Sequence, residues 1–291
     1  MILSVIIPCY NAEDTIEAQL NALANQSWSG TWELLVADNG SIDGTLQIVD
    51  KYKEKIPNLT ILDASDKKGP AHARNIAAKS AMGKYLLFCD ADDEVSLTWL
   101  DEMAKALIKY PIVASKMEHF KLSGAGNAQP GKQMQQDGLM QYSYVPYMPH
   151  AGTSGLGIRK ELHDRIGGFD QNFLVCEDCD YCWRAQLSGA ILFFNANALI
   201  HIRHKNNRKS KWLKQAATWG MYNALLVKKF VPLGMPKPTL RTGMNRWRKL
   251  INKNQFRIIL KNKEGRDKWL WDMSYRFGQL AGCIKFRSFA P

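Results

Sequence analysis

Four short, mostly apolar runs constrain this chain more than any other feature: Ile2–Ile7, Glu33–Ala37, Leu59–Leu62 and Lys84–Cys89. Runs of this length without polar alternation fit strands covered on both faces. Between them the spacing turns helical: Ile16, Leu20 and Leu23 in 14–26, Leu46 and Val49 in 43–55, and an alanine-rich stretch at 71–81. Strand alternating with helix predicts an α/β fold with a mostly parallel sheet, flanking helices and right-handed crossovers. Ligands of such sheets bind beyond the carboxyl ends of the strands. Three polar clusters follow strand ends here: Cys9–Asn11, Asp38–Thr45 and Asp90–Asp93.

Further along, Ser123–His150 is rich in Gly, Gln and Ser, carries Tyr142, Tyr144 and Tyr147, and has no clear period. A stretch of that length is expected to be a mobile lid over the ligand. A strand at Leu156–Arg159, a short helix, the turn Gly167-Gly168-Phe169 and a helix at Glu177–Leu187 follow. Ile191–Phe194 and Ala198–Ile202 read as two more strands. From Ser210 the pattern is helical, with apolar stripes at Leu240, Met244, Trp247 and Ile251, and at Trp269, Met273, Phe277, Leu280 and Ile284. The expected organisation is a catalytic domain at 1–205, with its donor-binding part at about 1–95 and its acceptor part at 96–205, and a basic helical extension at 206–291.

Charge divides the chain in the same place. Residues 200–291 hold 22 Lys+Arg and 3 Asp+Glu, a balance of +19, while residues 1–199 stand at −7. An acidic domain with a basic tail calls for an anionic partner. The stripes, with Trp212, Trp219, Trp247, Trp269 and Trp271, favour an anionic membrane surface as that partner, not nucleic acid. No secretory signal opens the chain and no apolar run reaches the about 18 residues that span a bilayer. The six cysteines are scattered. A cytoplasmic protein peripheral to the inner face of the membrane is expected. Cys176, Cys179 and Cys182 lack a fourth metal ligand and are read as small helix residues, Cys179 and Cys182 buried on one face.

The polar clusters suit transfer of a glycosyl group from a nucleoside diphosphate. Asp90-Ala91-Asp92, just past a buried strand, can engage a ribose and a divalent ion that neutralises the diphosphate. Asp93 and Glu94 read as first-turn charges of a following helix. Asp38 can accept an N–H from a base edge. Arg74, at the start of the alanine-rich helix, can reach base or phosphate. Glu177–Asp178 offers a proton acceptor, whereas Asp180 and Arg184, four apart, suit a local ion pair. His201 and His204, at a strand end, suit a divalent ion.

In order and spacing these pieces resemble family 2 glycosyltransferases with the GT-A fold over about residues 1–205. The matching residues are Ser4 through Asn11, Asp38-Asn39-Gly40-Ser41 with Asp43-Gly44-Thr45, Gly69 through Asn75, Asp90-Ala91-Asp92, Gly167 through Asp170, Glu177-Asp178 with Asp180 and Arg184, and His201. The resemblance implies donor-nucleotide contacts at Pro8, Tyr10, Asp38, Arg74 and Asp90. It implies Mn²⁺ or Mg²⁺ on Asp92 and His201, with His204 the alternative ligand, and a catalytic base at Asp178. Thr153-Ser154 stands where many members carry an Asn, so Thr153, like Glu177, is placed on the sugar or acceptor side. The implied reaction is inverting transfer from a nucleotide sugar to a saccharide or lipid-linked acceptor in cell-surface polysaccharide or glycoconjugate synthesis. Oligomeric state, a dimer included, stays open. A sugar nucleotidyltransferase would need a glycine-rich loop where Pro8-Cys9-Tyr10-Asn11-Ala12-Glu13 stands. A basic nucleic-acid binder would leave the ordered carboxylates without a purpose.

Overall fold

The computed structural model describes residues 3–56, 58–122, 134–142, 147–204, 209–252 and 262–290. The chain divides into two compact units, residues 1–141 with 148–204, and residues 142–147 with 205–291.

In the first unit the expected buried runs form β1 (Leu3–Cys9), β2 (Trp32–Asp38), β3 (Leu59–Asp63) and β4 (Tyr85–Phe88). They pair in parallel in the order β3-β2-β1-β4. Successive residues of β1 feed opposite faces: Val5 and Ile7 join one core, Ile6 the other. Helices α1 (Ile16–Ala24) and α2 (Thr45–Lys51) belong to the first face, and α3 (Pro70–Ser80) packs on the second through its alanines. Val49 of α2 is buried as its spacing requires, whereas Leu46 is only half-buried. Thr45 takes the inward position because its hydroxyl accepts the amide of Ala12 at 2.8 Å and so fastens α2 to the loop after β1.

The sheet continues through β5 (Glu94–Val95), α4 (Trp99–Lys109), β6 (Ile112–Glu118), β7 (Leu156–Arg159), α5 (Lys160–Arg165), α6 (Glu177–Leu187) and β8 (Leu192–His201), giving the order β3-β2-β1-β4-β7-β6-β8-β5. β7 runs antiparallel to β4 and β6, so a mixed half joins the parallel one. The two strands expected at 191–202 are a single strand. Its register on β6 jumps from Ser115↔Asn195 to Lys116↔Leu199. Asn195 and Asn197, the residues that interrupt the apolar pattern, build this bulge: Asn195 donates to Glu102 O at 3.0 Å and accepts from Asn197 N at 3.1 Å. Most of the expected lid, 123–133 and 143–146 with Tyr144, lies outside the described residues. Its described part includes a bridge between Met140 and His150.

The second unit contains α7 (Lys209–Phe230), a 3₁₀ turn (Val231–Leu233), α8 (Leu240–Ile251) and α9 (Lys263–Phe286). α7 and α9 meet at glycines. A Cβ on Gly278 would stand 1.9 Å from Ala217 O, and one on Gly220 would stand 1.9 Å from Tyr275 O. Trp212, Trp219 and Trp271, expected as interface aromatics, instead pack on one another, with ring centroids 4.9 and 5.7 Å apart, because the close helix crossing brings them together. No helix among the described residues is long and apolar enough to cross a membrane.

Candidate active site

The carboxyl ends of β1, β2 and β4 place three loops side by side. Asn39 N donates to Cys9 O at 2.8 Å, Asn11 N to Ser41 Oγ at 3.0 Å, and Ile42 N to Asn11 Oδ1 at 2.9 Å. Asn11 sits at φ 47°, a left-handed conformation that Asn tolerates better than most residues. Pro8, next to last in β1, lies beside Ala37, and Tyr10 stands 56% exposed just past the strand. Asp38 is buried and receives the amides of Gly40 and Ser41 at 3.1–3.3 Å. A carboxylate has about four acceptor positions, so capacity for a base edge remains.

Beyond β4 the carboxylate oxygens of Asp90, Asp92 and Asp93 lie within 4.8 Å of one another. Asp93 is not a helix charge, since Glu94 begins a strand and α4 starts only at Trp99. It is a buried hub: Oδ2 accepts the Ser154 hydroxyl at 2.5 Å and Oδ1 the amide of Arg203 at 3.0 Å, while Ser154 Oγ accepts the Asp90 amide at 3.2 Å. Burial holds the Asp93 carboxyl well above the usual range, and the charges of Asp90 and Asp92 add to the effect. Asp93 thus knots the acidic loop to the 153–154 turn and to the end of β8. The absence of helical spacing in Glu94–Thr98 is the sequence signal that could have freed Asp93 from a capping role. Thr153 is buried beside Ser154.

Arg74 binds this cluster to α6. Its Nη2 donates to Asp90 Oδ1 at 2.7 Å and its Nη1 to Glu177 Oε1 at 3.2 Å, with the side chain almost wholly buried. The neighbouring Asn75 holds both backbone groups of Phe169 at 2.8 Å. Gly168, at φ 68°, leaves no room for a Cβ, which would stand 2.7 Å from Asn75 Oδ1. Phe169 stacks on Tyr181 at 4.0 Å and lies under the Arg74 guanidinium at 5.6 Å. The paired turn and alanine-rich helix therefore form a rigid mount for Arg74.

Helix α6 begins after Cys176, which is left-handed at φ 65°. Glu177 is pushed up to about 7, first by burial and then by the charge of Asp178, against the pull of Arg74. Asp178 is half-buried, with Oδ1 accepting the Cys179 amide at 2.8 Å. His150, which spacing gave no reason to select, is buried nearby; burial lowers its pKa and the charge of Asp178 opposes that. Asp180 and Arg184 form the expected structural pair at 2.7 Å, and Arg184 also caps Ile166 O and Gly168 O. Cys179 and Cys182 are buried on α6, the latter with Sγ directed at Ala151 O.

The histidines are arranged differently from the carboxylates. His201 is not gathered with the three aspartates; its Nδ1 contacts Glu118 Oε2 at 2.8 Å. His204 Nε2 lies 3.0 Å from His119 Nδ1, and the rings stack at 5.0 Å. Glu118 ends β6, a strand that the apolar pattern did not single out, and His119 follows it.

Known proteins share this architecture. The model of glycosyl transferase family 2 matches residues 4–167, and that of glycosyl transferase family group 2 matches residues 105–280. A poly(ribitol-phosphate) beta-N-acetylglucosaminyltransferase, TarS, of Staphylococcus aureus is 43% identical over 103 residues, which are 35% of this chain and 18% of that protein. An Escherichia coli UDP-Glc:alpha-D-GlcNAc-diphosphoundecaprenol beta-1,3-glucosyltransferase, WfgD, is 39% identical over 92 residues, 32% of this chain and 35% of that one. The chain thus aligns with well under half the length of these curated relatives. Among solved structures, the mannosyltransferase PcManGT of Pyrobaculum calidifontis in complex with GDP-Man and Mn²⁺ superposes with a TM-score of 0.69 at 18% identity, covering 97% of this chain and 87% of that one. The fold is GT-A, and with a family model matching more than half of its residues the chain belongs to glycosyl transferase family 2.

Proposed function

We propose that this chain is an inverting glycosyltransferase that moves a sugar from a nucleoside-diphosphate donor to a hydroxyl of a saccharide or lipid-linked acceptor in cell-surface polysaccharide synthesis, on the cytoplasmic side. One observation carries the reading: buried Arg74 ties Asp90, in the carboxylate cluster beyond β4, to Glu177 at the start of α6. A site for the leaving group and a site for the base thereby adjoin. Relatives named for poly(ribitol-phosphate) and for a diphosphoundecaprenol-linked GlcNAc favour this class of product.

In this reading Pro8, Tyr10 and Asp38 line the base and Asp90 the ribose. Arg74 faces the phosphates and sets the place of the α6 carboxylates. The aspartate oxygens within 4.8 Å form a hard, all-oxygen donor set that suits Mn²⁺ or Mg²⁺. From that set we assign Asp92 as a ligand, with His201, a nitrogen donor outside the aspartate cluster, as the second. The contact of His201 Nδ1 with Glu118 orients Nε2 for that role, the arrangement metal-binding imidazoles favour. His204 is the weaker choice, since its Nε2 already faces His119. Such an ion supplies positive charge that stabilises the departing diphosphate.

Asp178 takes the proton of the acceptor hydroxyl. That oxygen attacks the anomeric carbon on the face opposite the diphosphate, the bond to the diphosphate oxygen breaks, and configuration inverts in one displacement. Glu177 is the second reading for the base, favoured by its pKa near 7 but opposed by its engagement with Arg74. Thr153 stays on the sugar side. A thermal-shift panel of UDP, GDP, dTDP and CDP, with and without Mn²⁺, tests the donor class, because a ligand of the folded state raises the melting temperature. No shift with any of the four would overturn the proposal.

A further inference from the structure

The apolar stripes of the second unit are only partly spent on its own packing. Among the described residues of α9 the buried positions are Gly278, Gln279 and Gly282, and the two glycines approach the α7 backbone. Phe277, Leu280 and Ile284 project from the other side of the helix, Ile284 at 82% exposure. On α8, Gly243 and Leu250 are buried, whereas Leu240, Met244 and Ile251 share one outward face. The two stripes meet where Trp247 packs edge-on against Phe277, with centroids 5.7 Å apart. A helix pair therefore presents apolar side chains of both stripes to water, although its sequence spacing alone would equally have suited a core. Exposed cations flank it: Arg241 and Arg248 on α8, Lys285 and Arg287 at the end of α9.

Three occupants fit an apolar face of some kind, and charge separates them. A second copy would lay the same patch against itself, as two-fold symmetry requires, and bring two sets of cations together. An anionic polymer would neutralise the cations but leave the aliphatic side chains in water. An anionic bilayer satisfies both, with the apolar face entering the acyl boundary and the cations lying among lipid headgroups. We propose that the second unit seats this chain on an anionic membrane surface through the α8–α9 stripe, without spanning it. The inference does not depend on the sugar transferred, and its test needs neither donor nor metal.

The full-length protein is floated with vesicles of phosphatidylcholine alone and with vesicles that also contain phosphatidylglycerol. Binding to the second but not the first, weakened by salt, is expected. Each basic residue near such a surface raises the partition coefficient about fivefold. The neutral substitutions Met244→Ser and Ile284→Ser, at exposed positions where the melting temperature should not change, are expected to reduce binding by on the order of tenfold. Absence of binding to anionic vesicles at low salt would overturn the proposal. So would serine variants that bind as well as the parent, which would leave the cations alone as the attraction, as for an acidic polymer. A concentration-dependent dimer that the serine variants abolish, without vesicle binding, would reassign the face to a second copy.

Discussion

The guanidinium of Arg74 meets the carboxylate of Asp90 at 2.7 Å, and the arginine is only 3% exposed. An arginine so enclosed is less a sensor at the surface of the site than its keystone, joining the largely buried Glu177 to Asp90, whose side chain stays about a third open to solvent. Truncating it leaves Glu177 short of a partner in a region of low polarity, whereas water can reach Asp90. Breaking a buried ion pair from one side costs about 3–5 kcal/mol. With Asp90 partly solvated, Arg74→Met is expected to lower unfolding free energy by about 2–3 kcal/mol in urea, below that range, whereas Arg74→Lys, which keeps the charge but loses the fork, should lose less. A surface arginine would change stability by well under about 1 kcal/mol. Equal stability of Arg74→Met and the parent would refute this role.

Asp178→Asn and Glu177→Gln divide the base from its neighbour. Removal of the base is expected to cost roughly a hundredfold or more in turnover. Asp178→Asn should show that loss with donor binding kept, since the carboxamide is nearly isosteric but cannot accept the proton. Glu177→Gln can still accept from Arg74 and should retain most turnover. The reverse pattern would move the base to Glu177.

Nucleotide binding is expected to depend on a divalent ion. Calorimetric titration of the preferred nucleoside diphosphate with excess chelator should give markedly weaker binding than with Mn²⁺, and Asp92→Asn should reproduce the chelator's effect. Unchanged affinity under chelation would remove the ion from the reading.

The parallel half of the sheet was legible because β1, β2 and β4 are covered on both faces, so burial writes itself as a nearly unbroken apolar run, and the edge strand β3, with Thr60 exposed, still keeps Leu59, Ile61 and Leu62. The loops at its carboxyl ends were legible because topology alone brings them together. What stayed hidden depends on partners distant in sequence. Asp93 looks like any acid before a helix until Ser154 and Arg203, 61 and 110 residues away, are folded onto it. β8 looked like two strands because Asn195 and Asn197 break its pattern, yet they are the residues that hold its bulge. Spacing marked the tail stripes correctly as helical faces. It could not say which face α9 buries, because glycines mark a helix contact only once the opposing backbone is known.

Stability should fall with rising pH through Glu177. Its folded pKa of about 7 lies above the ordinary value of 4.5, so between these values the folded protein holds a proton that the unfolded chain releases. The contribution is fully present below about pH 4.5 and is lost as pH rises through 7. Glu177→Gln removes the titration. Relative to this variant, the parent should lose up to about 3 kcal/mol between pH 5 and pH 8. Parallel stability profiles for the two proteins over that range would show that Glu177 titrates normally.

The crossing of α7 and α9 makes a prediction whose sign is informative. In a helix interior, Gly→Ala ordinarily stabilises by about 1 kcal/mol, because alanine loses less conformational freedom on folding. At Gly278 the added carbon would stand 1.9 Å from Ala217 O, and the opposing atoms are backbone, which no rotamer change can withdraw. The helices must then separate, and the aromatic contacts of Trp271 with Trp212 and Trp219 loosen with them. Overpacking of this kind costs about 1–3 kcal/mol or more. Gly278→Ala is therefore expected to destabilise the second unit, which faster amide exchange in α7 and α9 would report while β1 and β2 of the first unit keep their protection. A stabilised Gly278→Ala variant would mean that the two helices do not approach so closely. The glycine face would then be open, and the assignment of the opposite, aliphatic face as the outward one would lose its geometric basis.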